Sequence, residues 1–271
     1  NEQLHRFKVI LIDEAHGAAA SQTHDVIMRS NAPFRYGFSG TPEGRSDGKD
    51  LVVQGLIGKP IKLIERSQLI EQGYIAQTNI KVYRGHWEGD FHTLEDLLIV
   101  RNPKRNELIC KIVANHRGKS ILILVTRKEH GEILSGMIPR SVYINGDSLS
   151  EEREEVRESV KNGAIKVLIA TKIFGTSLDI PNLEVGINAR GRRSDIDTVQ
   201  RLGRVVRPWN EVCKEWIDIY DDYQATLENH SKERIEKYKE EGIHIEYIDF
   251  PIGKEKMLKG ENRNVIFDTL Y

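Results

Sequence analysis

The chain has few cysteines and no long apolar segment. Its two cysteines, Cys110 and Cys213, lie far apart in the 271 residues and outside any C-x-x-C pattern or histidine spacing typical of a metal site. A disulfide framework and a zinc site are therefore not expected, and a reducing, cytoplasmic setting fits best. No apolar run approaches a length of about 18 residues, which a membrane helix requires, and the polar start NEQLHRFK has no signal-peptide core.

The chain also lacks an excess of charge of either sign. Its 40 Lys and Arg residues face 41 Asp and Glu residues, which leaves a net charge of -1. The whole molecule therefore has no general attraction to nucleic acid or to an anionic membrane, and any polyanion site must be a local cluster of basic residues. The length and the 39% hydrophobic content suffice for two globular domains.

Short apolar runs alternate with helical patterns, which predicts an α/β fold with a parallel sheet. The predicted strands cover residues 7–12, 35–39, 60–64, 80–83, 120–125, 141–144, 166–170, 183–188 and 215–220. The predicted helices cover residues 65–73, 102–116, 148–163, 194–207 and 225–242. In the helix 148–163, Ser148 or Ser150 is expected to cap the amino end and Gly163 to end the helix. A glycine and polar residues near residue 77 predict a domain boundary there.

The segment VILIDEAH, residues 9–16, predicts a buried parallel strand that delivers two acids to its carboxyl end, where open α/β sheets bind ligands. Asp13 could hold Mg²⁺ through water, and Glu14 could polarise the water that attacks a γ-phosphate. The alternative is an ordinary strand end with two solvated acids.

A phosphate-binding loop of the form G-x-x-x-x-G-K-[ST] is missing. Only eight residues precede Val9, so they cannot supply it. The tripeptide GKS at 118–120 has Val113 where the first glycine is needed, and it follows a predicted helix instead of a strand. Lys49 is followed by Asp50 instead of Ser or Thr. The phosphate-binding lysine is therefore expected outside these residues, in the same polypeptide or in another one.

Two further segments carry hydroxyl groups beside glycines. In GFSGTP, Ser39 and Thr41 could relay between a site and a neighbouring domain, although the segment alone predicts a simple turn. In the segment 169–188, a strand leads into a loop that could present hydroxyls and backbone amides to a phosphate. That loop contains Thr171, Gly175, Thr176 and Asp179. A solvated crossover loop is the equally open alternative.

The segment DTVQRLGRVVRP carries the most specific pattern. On a helix, Gln200, Gly203, Arg204 and Arg207 share one face. A guanidinium aimed in this way can stabilise charge on a transferring phosphoryl group, and its loss lowers the rate by about 10³ to 10⁵. A solvent-facing basic stripe is the alternative, but a glycine in mid-helix costs about 1 kcal/mol unless close packing requires it.

Taken in order, IDEAH, SGTP, ILILVTRKEHG, YINGDSLSEER, IATKIFGTSLDIP and QRLGRVVRP resemble motifs II to VI of the superfamily two helicases of the DEAH-box type. The later motifs look most like those of phage UvsW-type branch-migration DNA helicases. The resemblance implies two RecA-like parallel-sheet domains with ATP between them. Residues 1–77 would be the carboxyl-terminal part of an incomplete first domain, 78–250 the second domain and 251–271 a tail.

The resemblance also implies a role for each matching residue. Asp13, Glu14 and His16 would serve the ATP site, with Mg²⁺ held by Asp13 through water. Ser39 and Thr41 would couple that site to the opposing domain. The nucleotide would further meet Gly175, Asp179, Gln200, Arg204 and Arg207, with Arg207 favoured as the arginine finger. Thr126, Arg127 and Thr171 would bind nucleic acid.

The function expected from this resemblance is that of an ATP-dependent DNA helicase or translocase acting on branched, forked or duplex DNA, in the host cytoplasm if it is phage-encoded. Without the phosphate-binding loop, the segment alone is expected to be inactive, and its missing amino-terminal half is the expected protein partner. An RNA helicase and the motor of a restriction system are alternative enzymes. A non-catalytic nucleic-acid-binding module with a degenerate ATP site is the alternative from another class.

Overall fold

The computed structural model describes residues 4, 6–39, 48–61, 64, 68, 71, 72, 78–85, 96–171, 183–191, 214–222, 224–240 and 242–250. The strands are β1 (Val9–Ile12), β2 (Phe34–Gly37), β3 (Thr78–Gly85), β4 (Ile121–Val125), β5 (Ser141–Ile144), β6 (Val167–Thr171), β7 (Val185–Asn188), β8 (Lys214–Asp221) and β9 (Ile245–Phe250). The α-helices are α1 (Ser21–Arg29), α2 (Asp50–Ile57), α3 (Pro103–Asn115), α4 (Lys128–Met137), α5 (Ser150–Lys161) and α6 (Ala225–Glu240). A 3-10 turn, Ala15–Gly17, follows β1, and a π-helical turn, Asp96–Val100, precedes α3.

The strands form two sheets, and all of their pairings are parallel. Strands β1 and β2 make a small sheet, while the large sheet has the order β5-β6-β4-β7-β8-β3-β9. This confirms the predicted α/β fold with a parallel sheet. Because the strands of each sheet run in one direction, their carboxyl ends meet at one edge, where such sheets bind ligands.

The large sheet is covered on both faces, as the interior strand β4 shows. Leu122 and Leu124 pack into one core cluster with Trp216, whereas Ile121, Ile123 and Val125 pack into a second cluster on the other face. All five β4 residues are buried. A strand with two covered faces needs apolar side chains at every position, which explains the continuous run ILILV.

The small sheet has a thinner core. Ile12 packs against a few alanines and aliphatic residues of α1 and α2, which are Ala15, Ala18, Ala19, Ile27, Val53 and Leu56. The alternate side chains of β1 and β2 point away from this core, and Val9, Leu11, Phe34 and Tyr36 are exposed. One face of this sheet therefore holds the small core, and the other face is exposed.

Most predicted strands are present, but the one at 60–64 is wrong, because Pro60, Ile61 and Ile64 lie in no strand. Proline cannot donate a ladder hydrogen bond, and Gly58 turns the backbone with a φ of 120° just before it. Strand β9 was not predicted. It lies at the edge of the sheet, and its sequence IEYIDF mixes acids with apolar residues, so it lacks the signal of a buried strand.

The predicted helices 102–116, 148–163 and 225–242 correspond to α3, α5 and α6. The predicted serine cap of α5 is wrong, because Leu149 occupies the cap position and makes no side-chain capping bond. Gly163, with a φ of 81°, ends that helix as predicted. Helices α1 and α2 were not predicted. The predicted helix 194–207 and most of 65–73 lie outside the described residues, and the domain boundary near residue 77 stays a prediction.

Among the helices of the described ranges, none combines the length and the apolarity of a transmembrane span.

Candidate functional site

The two predicted acids lie on a tight turn at the carboxyl end of β1. Asp13 and Glu14 are both exposed, and the Glu14 amide donates to Asp13 Oδ1 over 2.8 Å. Glu14 has a φ of 49°, a left-handed conformation that residues other than glycine seldom adopt. This turn reverses the chain directly into the 3-10 turn, so both carboxylates remain at the sheet edge.

Backbone hydrogen bonds join this acid-bearing turn to the end of β2. The Phe38 amide donates to the Ile12 carbonyl over 2.8 Å, and the Ala15 amide donates to the Phe38 carbonyl over 2.9 Å. Gly37 permits this approach, since a Cβ atom placed there would lie 2.7 Å from Ala15 Cβ. Gly37 therefore has a close-packing role that the sequence reasoning did not identify.

Three predicted site residues meet at this junction. His16 Nδ1 lies 3.1 Å from Ser39 Oγ and 3.3 Å from Glu14 Oε2. His16 is half-buried, whereas the Glu14 side chain is 56% exposed. The imidazole thus connects the exposed carboxylate of the first segment to the hydroxyl of the second. Thr41, which was predicted to act together with Ser39, lies outside the described residues.

The predicted nucleic-acid residues lie at the carboxyl edge of the large sheet. Thr126 and Arg127 follow β4 directly, and Thr171 ends β6, where it pairs with Val125 of β4. Arg127 is exposed, but Thr171 is buried, and no hydrogen-bond partner for its Oγ1 is found in the described part of the chain. A buried polar group without a partner costs about 1 to 3 kcal/mol, which a ligand that reached it would recover.

Behind this edge lies a buried ion pair that the sequence reasoning missed. Arg105 of α3 donates from Nε to Asp221 Oδ1 over 2.9 Å and from Nη2 to Asp221 Oδ2 over 3.2 Å. Its Nη1 donates to the carbonyl of Ala189, just after β7, over 2.9 Å. Both charged side chains are fully buried. The pair therefore holds the ends of β7 and β8 against α3.

A second buried pair anchors the last helix to the same strand. Arg234 of α6 donates to both oxygens of Asp218, which lies three residues before Asp221 on β8. The Tyr238 hydroxyl also donates to Asp218, over 2.6 Å, and it accepts a bond from Trp216 Nε1. These acids are satisfied internally, so they are not candidates for ligand binding.

The remaining predicted site residues cannot be placed. Gly175, Thr176, Asp179, Gln200, Gly203, Arg204 and Arg207 lie outside the described residues. Their roles stay predictions. Within the part of the chain that is described, no group of three or more His, Cys, Asp or Glu side chains could hold a metal ion. The exposed carboxylate of Asp13 could hold an ion that keeps most of its water ligands.

Comparisons with known protein families agree with this arrangement. Residues 104–208 match the family described as the helicase conserved C-terminal domain, and residues 1–44 match the res subunit of type III restriction enzymes. The first match covers β4, β5, β6 and β7 with their helices, and the second contains the acid-bearing turn and its partner strand.

Individual relatives give the same result. The ATP-dependent DNA helicase uvsW of Enterobacteria phage T4 is 24% identical in a 267-residue alignment that covers 91% of this chain and 51% of that protein. The DNA 3'-5' helicase XPB of Kineococcus radiotolerans is 29% identical over 74% of this chain and 37% of that protein. The chain spans about half the length of the curated relatives it matches. Residues 104–208 thus form a helicase conserved C-terminal domain, and the chain is similar to DNA helicases over most of its length.

The chain shares its fold with solved structures. It matches the crystal structure of T4 UvsW with a TM-score of 0.52 and 21% identity, over 92% of this chain and 55% of that one. It also matches S. cerevisiae Dbp5 bound to RNA and ADP BeF3 with a TM-score of 0.60 and 17% identity, over 91% and 61% of the two chains. The RecA-like fold that the resemblance implied is thereby confirmed.

Proposed function

We propose that this chain is part of an ATP-dependent DNA helicase or translocase that remodels branched or duplex DNA. The observation that carries the proposal is the junction of Glu14, His16 and Ser39 at the carboxyl end of a parallel strand. An exposed carboxylate, an imidazole and a hydroxyl held on two neighbouring segments can sense a nucleotide and pass the change on to a second segment. A purely structural strand end has no need of such contacts.

In this proposal each residue of the junction has a distinct role. Glu14 acts as the base that orients and polarises the attacking water, since its carboxylate is exposed and lies 3.3 Å from His16 Nδ1. Asp13 fits a Mg²⁺ ion that accompanies ATP, because magnesium retains water ligands and takes only one or two carboxylates. Bound Mg²⁺ would neutralise charge that develops on the phosphates. His16 and Ser39 couple the state of the nucleotide to the rest of the protein.

The large sheet supplies the proposed nucleic-acid contacts. Thr126, Arg127 and Thr171 end adjacent strands at one edge, and Arg127 is exposed there. Contacts of this kind recognise the phosphate backbone and not the bases, so binding should be insensitive to sequence and should weaken with salt. The predicted arginines Arg204 and Arg207, with Gln200, Gly175 and Asp179, complete the proposed nucleotide site.

DNA is proposed as the substrate because the uvsW and XPB relatives are DNA helicases by name. The phosphate-binding lysine is proposed to lie in an amino-terminal RecA-like half, in the same polypeptide or in a partner chain. The mass of the natural protein and the mapping of its amino-terminal peptides distinguish these two arrangements. We further propose that the protein acts in the cytoplasm.

The test is ATP hydrolysis by the natural full-length polypeptide with forked DNA, duplex DNA, single-stranded DNA or RNA. We expect forked or duplex DNA to stimulate hydrolysis most, and Glu14→Gln to lower turnover by about 10² to 10⁴, the range of a lost general base. Asp25→Asn, which removes an exposed acid outside the junction, should leave turnover unchanged.

Other outcomes identify the alternatives. Preferential stimulation by RNA would indicate an RNA helicase, and stimulation confined to duplex DNA without strand separation would favour a restriction-type translocase. If a polypeptide shown to carry the phosphate-binding lysine binds nucleic acid but hydrolyses no ATP, the non-catalytic module is correct and the proposed enzyme is not.

A further inference from the structure

The first residues after β7 place an arginine behind a predicted nucleic-acid contact. Arg190 is only 7% exposed, and its Nε donates to Thr126 Oγ1 over 3.1 Å. Thr126 itself is half-buried at the end of β4. The guanidinium therefore lies beneath the threonine and not on the surface, where a phosphate would meet it directly.

The backbone that carries Arg190 is fixed by both polar groups of the preceding residue. The Ala189 amide donates to the Leu124 carbonyl of β4 over 3.0 Å, and the Ala189 carbonyl accepts from Arg105 Nη1 over 2.9 Å. Arg105 is held in turn by Asp221 through two bonds. Arg190 thus follows a residue whose two backbone polar groups are both hydrogen-bonded, and its own side chain is buried.

The direction of the Arg190–Thr126 bond decides what the threonine can do. A hydroxyl has one hydrogen and two lone pairs, whereas a guanidinium can only donate. Thr126 Oγ1 must therefore accept from Arg190, and its own hydrogen is not used in that bond. A hydroxyl that accepts from a charged group is polarised, and it becomes a better donor to a further acceptor.

We propose that Arg190 is a positioning residue for nucleic-acid binding, which orients the Thr126 hydroxyl so that its hydrogen is donated to a backbone phosphate oxygen. The ligand class is the phosphodiester backbone, which accepts such bonds without regard to base sequence. The inference rests on the proposed function, since it requires that nucleic acid binds at this edge. It assigns a role to a residue that neither motif spacing nor exposure indicates.

The test is a double-mutant cycle on the full-length polypeptide, with binding of a fluorescent polythymidine oligonucleotide measured by anisotropy. Thr126→Val keeps the shape of the side chain and removes the donor, and it should weaken binding about tenfold, as expected for one hydrogen bond to a charged group. Thr126→Ser keeps the hydroxyl and should bind within about twofold of the wild type. Arg190→Gln should weaken binding to the same extent as Thr126→Val.

The decisive variant is the double substitution. Because both changes remove one and the same contact, Thr126→Val with Arg190→Gln should bind no more weakly than either single variant. The salt dependence of binding should be unchanged, since the contact that is lost carries no cation. If Arg190→Gln lowers the melting temperature enough to prevent the assay, Arg190→Lys completes the cycle, and it should weaken binding only when Thr126 is present.

Two results would overturn the inference while leaving the proposed function intact. Additive losses of about a hundredfold would mean that Arg190 acts independently of Thr126. A decrease of about 0.7 in the slope of log affinity against log salt would mean that Arg190 neutralises a phosphate itself. A folded wild-type protein that does not bind nucleic acid would instead overturn the proposed function, and this inference with it.

Discussion

Strands β1 and β8 each have two acids near or just beyond their carboxyl ends, but one pair is exposed and the other is buried. Asp13 and Glu14 after β1 are exposed on a turn beside a thin core. Asp218 and Asp221 of β8 are buried in the large sheet, and each is bonded to a buried arginine. The comparison teaches that acids at the end of a sheet with a small core remain exposed and available for chemistry. Acids within a sheet covered on both faces are paired with arginines and support the fold.

The largest expected effect tests whether the buried acids are structural. Arg105→Met removes the cation that pairs with the buried Asp221 carboxylate, which should lower the free energy of unfolding by about 3 to 5 kcal/mol. Leu11→Ser, at a residue of β1 that is 67% exposed, should change it by less than about 0.5 kcal/mol. Urea unfolding can be followed by the fluorescence of the buried Trp216 after Trp87 and Trp209 are replaced by phenylalanine.

The matched control for this pair removes both charges. Arg105→Met combined with Asp221→Leu should recover much of the lost stability, because no uncompensated charge then remains. If Arg105→Met alone unfolds like the wild type, the buried pair does not stabilise the large sheet, and the contrast with β1 is wrong.

A second prediction concerns the close approach that holds the acid-bearing turn. Gly37→Ala brings a Cβ atom to 2.7 Å from Ala15 Cβ, so the turn must shift. Overpacking of this kind costs about 1 to 3 kcal/mol, and ATP hydrolysis should decrease as Glu14 is displaced. Hydrogen exchange of peptides covering residues 9–16 should become faster.

Gly17→Ala is the matched control, because an added Cβ atom there has no neighbour within 4 Å and the residue lies in the 3-10 turn that directly follows the two acids. It should leave both exchange and hydrolysis near wild-type values. Equal effects of the two substitutions would mean that general loosening of the small sheet, and not the contact at Gly37, sets the position of Glu14.

The third prediction concerns His130, a buried titratable residue of α4, which packs beside the large sheet. His130 is buried beside Arg105, and burial first and that charge second lower its pKa from 6.5 to about 3. Its Nε2 bonds Asn106 Oδ1, so the neutral ring is the donor. Below pH 6.5 His130 becomes protonated in the unfolded chain but stays neutral in the folded protein. The free energy of unfolding therefore decreases as the pH falls from 6.5 to 3.

At pH 5 the loss relative to pH 7 should be about 2 kcal/mol. His130→Gln retains a donor near the Nε2 position but does not titrate. In urea unfolding, its free energy of unfolding should therefore lack the loss of about 2 kcal/mol between pH 7 and pH 5 that the wild type shows. Parallel pH profiles of the two proteins would show that His130 is protonated in the folded state or exposed to water.

The sequence predicts the interior of the large sheet because local signals determine it. The β-rich apolar run ILILV predicts a strand covered on both faces, and Gly163, with its positive φ, ends α5. The family resemblance assigns His16 and Ser39 to the ATP site and its coupling, but their contact was not predicted. Such features depend on residues that are close in sequence or on a known order of motifs.

The paired acids of β8 could not be predicted in this way. Arg105 and Asp221 are 116 residues apart, and no spacing rule connects them. Arg190 and Thr126 are 64 residues apart, and the parallel pairing of β4 with β7 brings them together. Gly37 resembles any glycine near a turn until the position of Ala15 is known. Long-range packing decides all three.

The smallest expected effect separates strain that serves a site from strain that does not. Glu14 and Arg140 both adopt a left-handed conformation, with φ of 49° and 58°. Asparagine tolerates this conformation, so Glu14→Asn and Arg140→Asn should each raise the free energy of unfolding by about 0.5 to 1 kcal/mol.

Glu14→Asn should also abolish ATP hydrolysis, whereas Arg140→Asn should not change it. Glu14→Gln, which removes the charge but keeps the strain, should lose activity without gaining stability. If both Glu14 variants unfold alike, the turn is not strained, and the position of Glu14 follows from its hydrogen bonds alone.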